Sequence, residues 1–147
     1  MNGPHSPAPH GYRHVGDSPE IYLELCTINE ETSAHGSTVP GMAAGNGSAN
    51  GQHKGMAPDA NIVFVETDFS LPNWTLTIAD AVDYIFKVAD TLDMPAVVNL
   101  SLGSYFGSHD GKDPAGQAIE NLLDEKSGRI VVCAAGNSGA QGKYHVR

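Results

Sequence analysis

Residues 77–103 read TIADAVDYIFKVADTLDMPAVVNLSLG, and this stretch decides the fold. Apolar side chains recur at Ile78, Ala81, Val82, Ile85, Phe86, Ala89 and Leu92, the i, i+3, i+4 spacing of one helix face. Thr77 can cap this helix, and Asp80 falls in its first turn, where a negative charge meets the positive end of the helix dipole. Pro95 stops it. Ala96-Val97-Val98-Asn99-Leu100 then reads as a buried strand ending in Ser101-Leu102-Gly103.

Outward from this core the alternation continues. Asp113-Pro114 pairs a cap residue with proline at the first helical position. Ala118, Ile119, Leu122 and Leu123 carry that helix towards Gly128, and Arg129 to Cys133 is a second apolar strand. Upstream, Ala60-Asn61-Ile62-Val63-Phe64-Val65 is a β-branched run between Pro58 and Thr67, hence a predicted strand. His35 to Ala44 predicts a short helix of small residues, and residues 45–51 a glycine-rich loop. Ile21 to Leu25 alternates like a strand, although Ser18-Pro19-Glu20 could equally open a helix. Residues 1–18 read as loop or disordered tail, leaving residues 19–147 as the domain. The expected class is α/β, a three-layer and mostly parallel sheet with helices on both faces and right-handed crossovers. In such sheets function gathers at the carboxyl ends of strands, here Ser101 to Gly103 and Ala134 to Asn137.

Bulk composition narrows the partners. The 147 residues are 40% hydrophobic and 17% charged, with a formal net charge of −9. That suits one globular domain. It disfavours nucleic acid and anionic membrane surfaces, which need clustered Lys and Arg. No apolar run reaches the length of a membrane span, and no secretory leader follows Met1. Cys133 sits in an apolar strand, so a buried inert thiol is expected, with a disulfide to Cys26 left open. Asn46, Ser48, Asn50 and Gln52 offer oxygens but no carboxylate, so their loop reads as solvated rather than as a calcium site. No metal site and no cofactor are expected, with calcium left as the alternative.

Two residues stand out chemically. His35 opens its helix beside Gly36, and an imidazole placed there can face a cleft and act as a base near neutral pH. Asn137 follows a buried strand in Ala134-Ala135-Gly136-Asn137-Ser138-Gly139 and presents an amide from a glycine-rich turn. Taken singly, a lone histidine is more often structural, and a turn asparagine is common at strand ends.

Together with their surroundings they carry more. His35-Gly36-Ser37-Thr38-Val39-Pro40-Gly41 resembles the histidine block of the subtilisin-like serine proteases, His-Gly-Thr-His-Val-Ala-Gly, and the general base of that block maps onto His35. The Asn137 turn resembles the family's oxyanion block. Val97 to Ser104 resembles one wall of its substrate cleft. Gly55-Met56-Ala57-Pro58 resembles the lead into a core strand. The resemblance covers residues 33–139, in the family's order. It implies a serine endopeptidase acting on peptides or proteins through an acyl-enzyme, secreted or held at the cell envelope. Substrate would lie between Ser101, Leu102 and Gly103 on one side and Ala134, Ala135 and Gly136 on the other. The aspartate and serine blocks of the family are missing: Asp17 has no preceding apolar strand and no following glycine. The chain therefore reads as the middle of a catalytic domain, inactive alone and prone to self-association. The alternative is a non-catalytic subtilase-like peptide-binding or scaffold module. A generic nucleotide-binding α/β domain ranks last, since no glycine-rich phosphate loop follows a strand.

Overall fold

The computed structural model describes residues 35–48, 51–67, 69–105 and 107–141, and the expectations for residues 1–34, Cys26 included, lie outside them. The chain divides into two compact units, residues 1–66 and 67–147.

In the first unit, helix α1 spans His35–Ala44, as predicted. Pro40 is its sixth residue, beyond the first-turn positions where a missing N–H is harmless. It deprives the Gly36 carbonyl of a helical donor. The far end is well closed. Gly45 N–H donates to Gly41 O (3.0 Å), and the returning chain satisfies the next carbonyls, Met56 N–H donating to Met42 O (3.2 Å) and Ala57 N–H to Ala43 O (2.9 Å). That approach needs glycine at position 55, where a Cβ would come within 2.6 Å of Gly45 N and 2.7 Å of Ala44 N. Asn46 Oδ1 accepts from Ser48 N–H at 2.9 Å, an Asx turn that shapes the loop.

Residues 61–67 do not form the predicted strand. Composition supplies β propensity, but a strand exists only where a neighbour completes its ladder. Among the described residues the sheet holds two strands, both in the second unit.

That second unit is a helix–strand–helix–strand run: α2 Trp74–Thr91, β1 Ala96–Leu100, α3 Pro114–Asp124 and β2 Arg129–Cys133, with a 3-10 turn at Gly139–Gln141. Helix α2 begins three residues before Thr77, with Asn73 at the N-cap and no side-chain cap bond. Thr77 is not the cap. Its hydroxyl donates to Trp74 O at 2.7 Å and lies 2.9 Å from the Thr67 hydroxyl, which must then be the donor in that pair. The Phe69 and Trp74 rings meet edge-on at 5.6 Å, folding the lead-in chain onto the first turn.

The end of α2 is a Schellman motif. Asp93 N–H donates to Asp90 O (3.2 Å) and Met94 N–H to Ala89 O (3.0 Å), with Asp93 at φ 52°. Helix α3 starts as predicted, Asp113 Oδ1 accepting from Ala115 N–H (3.1 Å) and Gly116 N–H (3.0 Å) ahead of Pro114. It ends at Asp124, short of Gly128, which at φ 86° turns the chain against Pro95 into β2.

Strands β1 and β2 pair in parallel, Ala96 opposite Arg129 and Leu100 opposite Cys133. Val98 packs with Val82 and Phe86 of α2, and Ile119, Leu122 and Leu123 of α3 join the same cluster. Both helices thus cover one sheet face. The expectation of continuously buried strands gives way to alternation: Val98 is 3% exposed, while Val97 is 68% exposed on the other face. Cys133 is exposed, not buried, because it ends β2 beyond this cluster.

One cation closes the packing. The Arg129 guanidinium lies 4.8 Å from the Phe86 ring centre and donates to Leu122 O (2.6 Å), Glu125 Oε2 (3.1 Å) and Asp90 Oδ2 (2.7 Å). Asp90 also accepts from Lys126 Nζ at 2.8 Å. These hydrogen bonds, from Lys126 first and then Arg129, hold the Asp90 carboxyl below its ordinary range.

Phe86→Ala should cost about 3–5 kcal/mol by denaturant unfolding, the usual loss for a buried aromatic. Because the folded state depresses the Asp90 carboxyl, its contribution is present above the ordinary carboxylate range and is lost as pH falls through the depressed value. Asp90→Asn should therefore flatten the acid limb of a stability-against-pH curve while lowering stability at neutral pH; an unchanged acid limb would show that the Asp90 cluster does not set it.

Candidate active site

The parallel register brings the carboxyl ends of β1 and β2 side by side, and Ala134 N–H extends the pairing by donating to Leu100 O at 3.1 Å. Ser101-Leu102-Gly103 and Ala134-Ala135-Gly136 therefore leave the sheet as neighbours. Ser101 and Leu102 are half-buried; Gly103, the 134–136 segment and Asn137 are exposed. Asn99, whose side chain is on the open face, donates from Nδ2 to Ser101 Oγ at 2.8 Å and fixes that hydroxyl.

A residue that sequence reasoning missed joins the two loops. Ser138 N–H donates to the Tyr105 hydroxyl oxygen at 3.0 Å, across 33 positions of sequence. Gly136, at φ 95°, makes room: a Cβ there would run into the Tyr105 hydroxyl and approach Cζ to 2.8 Å. The Ser138 side chain, the Ser138 N–H and the Asn137 backbone all hydrogen bond to this phenol and hold it below its ordinary range. The His109 ring fixes the other side of Tyr105, with Nε2 at 2.7 Å from its carbonyl oxygen; a carbonyl only accepts, so Nε2 carries the proton. The only sequence signal was a tyrosine just past a strand-end loop, which periodicity does not weigh.

His35 is the first residue of α1, exposed, and belongs to the first unit; the 101–103 and 134–137 segments belong to the second. Among the described residues no group of three His, Cys, Asp or Glu side chains is placed to hold a metal ion. No described helix is long and apolar enough to cross a membrane.

The sequence model of the subtilase family matches residues 23–147. This chain belongs to the subtilase family. The PII-type proteinase of Lactococcus lactis subsp. cremoris is 31% identical over 144 residues, covering 93% of this chain and 7% of that protein. Serine protease AprX of Bacillus subtilis (strain 168) is 34% identical over 124 residues, covering 76% of this chain and 27% of that protein. Tripeptidyl-peptidase 2 of Caenorhabditis elegans is 34% identical over 118 residues, covering 78% of this chain and 8% of that protein. The subtilase chain thus spans a small part of each relative. No solved structure matches it. The α/β class expected of a subtilase accords with the helices and the small parallel sheet seen here.

In this subtilase turn, Gly136→Ala should be disruptive, since it meets both a positive φ and the Tyr105 hydroxyl. A loss of about 1–3 kcal/mol is expected by thermal unfolding. Gly103→Ala, which meets nothing within 4 Å, should be near neutral. Equal effects of the two would mean that the phenol does not occupy this space in solution.

Proposed function

We propose that this chain is part of the catalytic domain of a subtilisin-like serine endopeptidase. The observation that carries this reading is the pair of adjoining strand-end loops, one bearing Asn137, in a chain that belongs to the subtilase family. An extended peptide would lie between Ser101-Leu102-Gly103 and Ala134-Ala135-Gly136, its backbone pairing as an added strand. His35 would take the proton from a serine hydroxyl as that oxygen attacks the peptide carbonyl, then return it to the leaving amine. Asn137 would donate to the oxyanion, where charge develops only as the transition state forms. The serine and the aspartate that orients His35 would come from parts of the protein outside this chain. Side chains alone carry this scheme, without a cofactor. A further helical layer over the Val97 face would complete a three-layer fold. Substrates would be peptides or proteins, met outside the cell or at its envelope. This chain alone would be inactive and would self-associate through its open sheet face.

A fluorophosphonate probe tests the scheme. The full-length protein should label stoichiometrically and this chain alone should not. In the full-length protein His35→Ala should abolish turnover. Asn137→Ala should lower kcat about 10²–10³-fold with KM little changed, the size known for subtilisin's own asparagine and carried over by homology. A full-length protein that binds peptides but neither labels nor hydrolyses them would be the non-catalytic module instead.

A further inference from the structure

We propose that Tyr105 is a positioning residue for the oxyanion donor: its hydroxyl clasps the Gly136–Ser138 turn and thereby sets where the Asn137 carboxamide points. The proposal rests on the protease reading of Asn137 and adds to it the group that holds that asparagine in place.

Asn137 presents a problem in physical terms. It is exposed, on an irregular segment between β2 and a 3-10 turn, and no strand ladder holds it. A hydrogen-bond donor lowers a barrier only if it is already aimed where the charge will develop; one that must reorganise gives back much of its effect. An exposed side chain on such a loop needs its backbone fixed from outside. Tyr105 supplies that. Its hydroxyl accepts from Ser138 N–H at 3.0 Å. On the other side of Asn137, Gly136 is held at φ 95° with the phenol in the space a side chain would fill. Both neighbours of the asparagine are thus governed by one oxygen.

The origin of that oxygen matters equally. Tyr105 lies on the chain that leaves β1, two residues past Gly103, so the clasp joins the segment proposed as one substrate wall to the segment proposed as the other. It fixes their spacing as well as the donor. Tyr105 is itself anchored, its carbonyl held by His109 Nε2 at 2.7 Å, with His109 in the left-handed region at φ 56°. A purely structural contact would have no reason to end on the residues flanking a solvent-exposed amide.

The test is a double-mutant cycle in the full-length protein. Tyr105→Phe keeps the ring and removes the oxygen. It should lower kcat roughly tenfold, the order of one net hydrogen bond, while KM changes less than about twofold. Asn137→Ala lowers kcat by itself, and Tyr105→Phe added to it should cost nothing more, because the donor being positioned is gone. Ser138 amide hydrogen exchange is the readout independent of turnover, and it should accelerate in Tyr105→Phe. Full kcat in Tyr105→Phe, or a tenfold loss that persists undiminished on top of Asn137→Ala, overturns the proposal. A rise in KM with kcat unchanged also overturns it, since that would place Tyr105 in ground-state binding. If Asn137→Ala keeps full kcat, the proposal falls with the protease reading beneath it. That case is told apart by Ser138 exchange, which would still respond to Tyr105→Phe.

Discussion

Burial of Val98 against Val82 and Phe86 is the contact on which the second unit depends. Side chains on a strand alternate between faces, so seating Val98 inward also seats Ala96 and Leu100 inward and turns Val97 and Asn99 out. A slip of one position would bury Asn99 without a partner and expose Val98, a change no parallel pairing could repay. The same parity aligns Val98 with Val131 and brings Leu100 opposite Cys133, which sets the two following loops next to each other. It also leaves Asn99 on the open face, from which its amide reaches Ser101. A packing decision in the middle of β1 is thereby read out as geometry at its end.

The two ends of this small sheet do different work. At the amino end, Arg129 opens β2 and fastens to Asp90 of α2, Leu122 and Glu125 of α3, and the Phe86 ring. Its side chain is 9% exposed, so its charge is compensated by partners rather than by water. Gly128 turning against Pro95, and the Schellman end of α2, close that same end. The carboxyl end is held instead by hydrogen bonds between loops: Asn99 to Ser101, Ser138 to Tyr105, His109 to Tyr105. Apolar packing and ion pairs fix the frame, and directional bonds shape what projects from it.

Much of the frame was legible in the sequence because it follows from short-range rules. The apolar stripe from Ile78 to Phe86 and the Asp113-Pro114 cap each act within a few residues, and the elements they predict are observed. The limits of β1 and β2 follow from Pro95, Gly128 and the composition between them. The errors have a common origin in distant context. Ile62 to Val65 has strand composition, but pairing requires a second strand that the run itself does not specify. Thr77 has the residue type of a cap, but α2 starts upstream at Trp74, where the Phe69 ring packs edge-on against the first turn. Cys133 looked buried because its run is apolar, yet cover depends on where α2 and α3 lie. At the candidate site, the resemblance to the subtilases named Asn137 and the two strand-end loops, and the parallel register sets those loops side by side. Tyr105 was not, since its partners lie 33 positions away in sequence.

A site of this kind sits between opposing demands. Under the proposed function it must be open to admit an extended peptide, and the segments at 134–137 are exposed. It must also be stiff, because the energy a carboxamide donor contributes depends on not having to move when charge appears. Regular structure would supply stiffness but would consume the backbone groups that the proposed substrate would pair with, and apolar packing would fill the space between the loops. Cross-loop hydrogen bonds to a half-buried phenol resolve the conflict: they restrain Gly136, Asn137 and Ser138 through the backbone while leaving the Asn137 side chain facing solvent. The cost is a glycine at φ 95° that accepts no side chain, so the stiffness of the turn and the absence of a Cβ at position 136 are one and the same requirement.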